Sequence, residues 1–135
     1  MPAEAFFDTT VLIYALTKND PRAAIAEELL SGSGTVSVQV LNEFVAVARR
    51  KLDLGWDQIE QALGAIRVLC RPPVPITAST HEAAVQIARR YGFQIYDSLI
   101  VAAALDAGCT TLYSEDLQNG QKLDTLTVRN PFSKQ

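Results

Sequence analysis

Histidine, cysteine and tryptophan are scarce in this chain: among 135 residues there are one histidine, two cysteines and one tryptophan. With His81 alone, neither a histidine-based metal set nor a Ser-His-Asp arrangement has support, and no serine at a sharp Gly-flanked turn accompanies it. His81 is therefore read as a structural or surface residue. Cys70 and Cys109 lie far apart without metal-ligand spacing. A chain of this length buries enough surface to fold without a disulfide, so both are read as buried free thiols. Seven glycines and six prolines are too few for a disordered or collagen-like chain. Neither Gly-x-x-x-x-Gly-Lys nor Gly-x-Gly-x-x-Gly occurs, so no nucleotide-binding loop is indicated.

Long apolar runs are missing as well. The longest, Leu99 to Leu105, falls far short of the roughly 20 residues that span a bilayer. Glu4 and Asp8 stand where a signal peptide would carry basic residues. Positive charge is also in short supply: the net charge is −3 and the pI about 5.1. That does not suggest a nucleic-acid-binding domain of the usual basic kind, so any phosphate must be met by a local patch or by bound cations. The expectation is a soluble, cytoplasmic protein with no membrane span.

What is present is ordinary globular composition, 48% hydrophobic and 20% charged, on a length that suits a single domain over residues 1–135. Ala5-Phe6-Phe7 has no polar face and suits a strand buried on both sides. Thr9 and Thr10 are plausible caps for a short helix from Val11 to Leu16. Pro21 opens a helix over 22–30, and Thr35 to Val38 reads as a second strand. From Gln39 to Leu52 the apolar positions recur at helical spacing. Another helix is expected from Asp57 to Leu69, and the proline-rich stretch Arg71 to Ile76 is a loop or edge strand. Ser79 or Thr80 caps a helix to Tyr91, and Asp97 caps the next, which runs to Gly108. Thr110–Tyr113 and Leu126–Val128 complete the strands, with a loop at Asn119-Gly120. Short apolar strands alternating with helices give an α/β class with a mostly parallel sheet.

Four carboxylates stand out. In a parallel sheet, ligands bind outside the carboxyl ends of strands, where Asp8 and Asp116 both fall. Asp97 opens a helix. Glu43 shares a helix face with Val40 and Val47, and a carboxylate on an apolar stripe needs a partner or a cation. Singly, each has a plainer reading. Asp8 and Asp97 suit N-caps, Asp116 a turn, and Glu43 the edge of its stripe. Jointly they would repel. At about 5 Å and an effective dielectric of about 20, each pair costs roughly 3 kcal/mol. Hard divalent cations relieve that repulsion and leave open positions for phosphate oxygens, which is the chemistry of metal-assisted phosphodiester hydrolysis.

At these residues a resemblance enters. The segment from Phe6 to Ala15, the Leu41-Asn42-Glu43-Phe44 helix segment, the run from Tyr96 to Ala104, Leu112 to Leu117 and the closing Asn130-Pro131-Phe132 resemble PIN-domain ribonucleases in order and spacing over nearly the whole chain. The length is most similar to that of VapC-type toxins of toxin–antitoxin pairs. The resemblance implies a PIN-like fold and a Mg²⁺- or Mn²⁺-dependent endoribonuclease, with RNA as substrate, a small antitoxin as partner and a homodimeric state. It implies an acidic quartet of Asp8, Glu43, Asp97 and Asp116. Asp8 and Asp97 would be the principal metal ligands, and Asp116 would ligate directly or through water. Glu43 would serve a second metal or the attacking water. Thr9, Thr10 and Ser114 would support them, Ser114 as the small hydroxyl beside the last aspartate. Thr10 stands where the family often has Asn or Ser. Glu115 adds a fifth carboxylate, so preferring Asp116 rests on spacing only.

Other classes fit less well. A phospho-accepting signalling domain would, by resemblance, pair two acids at the first strand end and place a lysine after a late strand. Phe7-Asp8-Thr9 and Ser114-Glu115-Asp116 supply neither. A hydrolase with an aspartyl nucleophile would want an aspartate where Thr10 stands. A catalytically silent PIN-like binding module is opposed by the complete quartet.

Overall fold

The computed structural model describes residues 4–133. Ten elements follow one another: β1 (Ala5–Phe7), α1 (Thr9–Leu16), α2 (Arg22–Leu30), α3 (Val38–Arg50), α4 (Trp56–Leu69), α5 (Ala78–Tyr91), α6 (Ile95–Asp106), β2 (Thr111–Tyr113), β3 (Lys122–Leu123) and β4 (Leu126–Arg129). The sheet order is β1-β2-β4-β3. The pairs β1–β2 and β2–β4 are parallel, and β3 pairs antiparallel with β4. The α/β reading with a mostly parallel sheet therefore holds.

Burial explains the central pieces. Phe6, Leu112 and Val128 are fully buried and lie side by side in the register Phe6↔Leu112↔Val128. In α6, every residue from Ser98 to Ala104 is buried, so this helix is apolar all round. Phe44, Val40 and Ala48 give α3 its buried stripe, and Phe44, Val40, Ile100 and Val101 join the strands in one core.

Several expected boundaries move, each for a local reason. The anticipated strand from Thr35 to Val38 makes only single bridges, Phe6↔Thr35 and Ser37↔Val74. The extended path ends because the Ser37 hydroxyl accepts the Val40 N–H and caps α3, so that Val38 is already helical. At α1 the cap is Asp8 rather than Thr9 or Thr10. At α5 the cap is Thr77, upstream of Ser79 and Thr80, because Thr77 and Thr80 exchange side chain-to-backbone hydrogen bonds. At α6 the cap is Gln94, and Asp97 sits within the first turn. The short strand β3 lacks an alternating pattern and escapes sequence reading. Trp56 is 57% exposed, with the Arg49 guanidinium 4.8 Å over its ring. Cys70 and Cys109 are buried and free, as expected.

Among the described residues no helix is long and apolar enough to cross a membrane. Gly34 is the tightest backbone approach. A Cβ there would lie 2.6 Å from the Phe7 ring and 3.0 Å from the Ala5 carbonyl oxygen. Gly64, inside α4, has nothing within 4 Å of the same position. Gly34→Ala should thus destabilise the protein by roughly 1–3 kcal/mol through overpacking. Gly64→Ala should stabilise it by about 0.5–1 kcal/mol through helix propensity. Urea unfolding of both variants tests the pair, and equal effects would contradict this packing.

Candidate active site

Strand register builds the site. Phe7 pairs with Tyr113 at the carboxyl ends of β1 and β2, so the next residues, Asp8 and Ser114, emerge together. The Asp8 N–H donates to the Tyr113 carbonyl at 2.9 Å. The Ser114 hydroxyl donates to Asp8 Oδ2 at 2.7 Å, and the Thr9 N–H donates to Asp8 Oδ1 at 2.7 Å. Ser114 Oγ in turn accepts from the backbone N–H of Asp116 and of Leu117, at 3.2 and 3.3 Å. One hydroxyl therefore shapes the turn that carries Asp116 and ties it to Asp8.

Glu43 enters from α3. Its Oε1 accepts from the Thr9 hydroxyl at 3.0 Å, and its Oε2 from Gln39 Nε2 at 2.9 Å. Gln39 is a residue that sequence reading missed. It precedes Glu43 by four positions on the same helix face, and that spacing is the available signal. Asp97 comes from the first turn of α6, where it does not serve as the cap.

These elements enclose an open cleft of about 460 Å³, whose lining includes Gln39, Glu43, Arg50, Tyr96, Asp97 and Asp116. Asp8 does not line it. It is 2% exposed and lies behind, beneath Thr9 and Ser114. Thr10 contributes a buried Oγ1 with no hydrogen-bond partner among the described residues. Glu115 points elsewhere, accepting from the Tyr14 hydroxyl at 2.6 Å. His81 is exposed on α5, in its first turn.

The electrostatics reflect crowding of like charge. Burial pushes the Asp8 carboxyl up to about 6, with its two hydrogen bonds opposing and the charges of Asp116 and Glu43 adding. Asp97 is raised by burial and then by Asp116 and Glu43. Asp116 is raised by loss of hydration, then by Glu115 and Glu43, while Lys51 pulls it down. Among the described residues no three His, Cys, Asp or Glu side chains close into a ready ligand cluster. Even so, the donor set is all hard oxygen, and the mutual repulsion is what a hard divalent cation relieves. The residues present fit such an ion.

A carboxyl whose folded pKa is raised binds its proton more tightly when folded. For Asp8 that stabilisation is complete below the unfolded value of 3.8 and is lost as pH rises through about 6. Asp8→Asn should therefore raise the melting temperature of the metal-free protein at pH 7. The gain should shrink toward pH 4. Thermal melts across this range check it, and a gain that grows on acidification would refute the assignment.

The PIN domain family model matches residues 5–119. No curated protein matches the chain. Among solved structures, the toxin VapC20 of Mycobacterium tuberculosis, described as cleaving the sarcin-ricin loop, is similar at 22% identity. That match covers 83% of this chain and 89% of the other, with a TM-score of 0.67. A toxin–antitoxin complex from Klebsiella pneumoniae matches at 19% identity over 96% and 99%, with a TM-score of 0.72. VapBC2 of Rickettsia felis, bound to a DNA fragment from its promoter, matches at 18% identity over 93% and 96%, with a TM-score of 0.66. The family model covers most of the chain and ends just past Asp116, so all four carboxylates fall inside it, and the chain belongs to the PIN domain family.

Proposed function

We propose that this protein is an endoribonuclease, acting over residues 1–135 as one nuclease unit and serving as the toxin of a toxin–antitoxin pair. The observation that carries the reading is one cleft lined by carboxylates from three separate elements, with a fourth, Asp8, buried directly behind them. Asp8, Asp97 and Asp116 would hold Mg²⁺ or Mn²⁺, and Glu43 would serve a second ion or the attacking water. When bound, the cation supplies charge neutralisation at the phosphate and lowers the pKa of water.

The chain's own groups do the positioning. Thr9 and Gln39 fix both oxygens of Glu43, so its carboxylate faces the cleft in one orientation. Ser114 holds Asp8 and the Asp116 turn at once. Arg50, the cation of the lining, meets a phosphate in an otherwise acidic cleft. Tyr96, 55% exposed at the same cleft, offers a face for an unpaired base. In the proposed hydrolysis the oxygen of water bonds to phosphorus and the bond to the 3′ oxygen breaks. That oxygen leaves as a hydroxyl, so the products carry a 5′-phosphate and a 3′-hydroxyl.

A small antitoxin partner is supported by an apolar groove of about 290 Å³ lined by Leu12, Leu16, Leu30, Ile66 and Leu69. Leu16 and Leu69 are 40% and 41% exposed there. The toxin–antitoxin complexes among the structural neighbours support it too. A homodimer is part of the same reading, and light scattering that reports a monomer at high micromolar concentration would remove it.

Incubation of a total RNA pool should yield cleavage with Mg²⁺ or Mn²⁺ and none in EDTA. Alanine at Asp8, Glu43, Asp97 or Asp116 should each lower kcat/KM by about 100-fold or more while the fold persists. Glu115→Ala should lose less than Asp116→Ala, and His81→Ala should keep most activity. Tyr96→Ala should act mainly on KM. Products ending in a 2′,3′-cyclic phosphate, or full activity in EDTA, would sink the mechanism.

A further inference from the structure

Glu115 and Asp116 are adjacent carboxylates on one turn, yet only Asp116 lines the cleft. What separates them lies on the far side of Glu115. The Tyr14 hydroxyl donates to Glu115 Oε1 at 2.6 Å and accepts from Arg22 Nη1 at 2.7 Å. A phenol has one proton, so the donation from Arg22 leaves that proton to Glu115 and sets the direction of the chain. Arg22 also approaches Glu115 Oε2 at 3.7 Å. Arg22 itself is anchored by Asp20, which accepts from Nε at 2.9 Å and from Nη2 at 2.7 Å. The Tyr14 ring is wedged in place. The Arg22 guanidinium lies 4.0 Å over its face, and the Phe132 ring meets it edge-on at 4.8 Å.

We propose that Tyr14 is a positioning residue for the acidic cleft: with Arg22 it holds Glu115 outside, so that Asp116 alone of the pair faces in. Tyr14 stands on α1, the helix capped by Asp8, and Ser114 joins that same cap. The turn from Ser114 to Leu117 is thus fastened to α1 twice, through Ser114 to Asp8 and through Glu115 to Tyr14. Without the Tyr14 hydroxyl, Glu115 keeps only the 3.7 Å approach of Arg22 and gains the freedom to rotate toward the cleft. It then adds a negative charge beside Asp116 and competes for any cation held there.

This inference rests on the nuclease reading, and its test separates the two. Tyr14→Phe keeps the ring and removes the donor. It should lower kcat on single-stranded RNA by about tenfold, because Glu115 enters the cleft beside Asp116 and competes for its cation, with KM nearly unchanged. In the same variant, calorimetric titration with Mn²⁺ alone should show tighter binding, because a further carboxylate joins the cleft. Glu115→Gln placed on Tyr14→Phe should restore both values toward wild type. Slower turnover with tighter metal binding, reversed by neutralising Glu115, is a pattern that loss of folding does not produce. Unchanged kcat and Mn²⁺ affinity in Tyr14→Phe would overturn the proposal. So would losses that follow the melting temperature and resist Glu115→Gln. If the wild type cleaves no RNA, the nuclease reading fails, and the Mn²⁺ titrations still decide the role of Tyr14. A wild type that binds no Mn²⁺ overturns both.

Discussion

The hydrogen bond from Ser114 to Asp8 is the contact on which the rest of the cleft depends. It joins residues 106 positions apart, is buried, and exists because Phe7 and Tyr113 share a register. A slip of one residue in β1 against β2 would turn Asp8 to the opposite face and leave a buried carboxylate without partners. Through Ser114 the same contact shapes the turn before Leu117, and through the α1 cap it sets where Thr9 meets Glu43. Strand pairing, helix capping and cleft geometry are thus one arrangement seen at three scales.

The cleft works against the stability of the metal-free chain. Asp8 is buried where its charge is costly, and Asp97 and Asp116 are raised in the same direction. An ordinary core would fill such a position with an apolar residue, as Phe6 and Phe7 do immediately before it. Perturbed carboxyls gathered around one opening support the proposed active site over a purely structural ion pair. The opposing cations, Arg50 in the cleft lining and Lys51 acting on Asp116, come from the end of a single helix.

Much of this was legible in the residues. Period and burial gave the helices around Phe44 and Ile100, and the apolar run before Asp8 gave β1. The four carboxylates stood out because each sat at an element boundary or on an apolar stripe. What stayed hidden was long-range. Nothing in the neighbourhood of Glu115 says that Tyr14 and Arg22 will reach it, since those pairings depend on how α1 and α2 lie against the β2 turn. Cap positions also misled. Asp97 has the residue type of a cap, but Gln94 takes that place and leaves the carboxylate of Asp97 for the cleft. The surface stacking of the Arg49 guanidinium on the Trp56 ring is another pairing that hydrophobicity alone does not reveal.

The parallel pairing of β1 with β2 has a consequence in time as well as in space. Six helices separate the two strands, so Asp8 leaves the ribosome 106 positions ahead of Ser114. Until β2 docks, Asp8 has no hydroxyl to hold it and the Asp116 turn has nothing to close upon. A nascent chain therefore carries the parts of the cleft but not the cleft. Whatever chemistry these carboxylates perform is withheld from the translating ribosome until β2 and the turn after it have emerged.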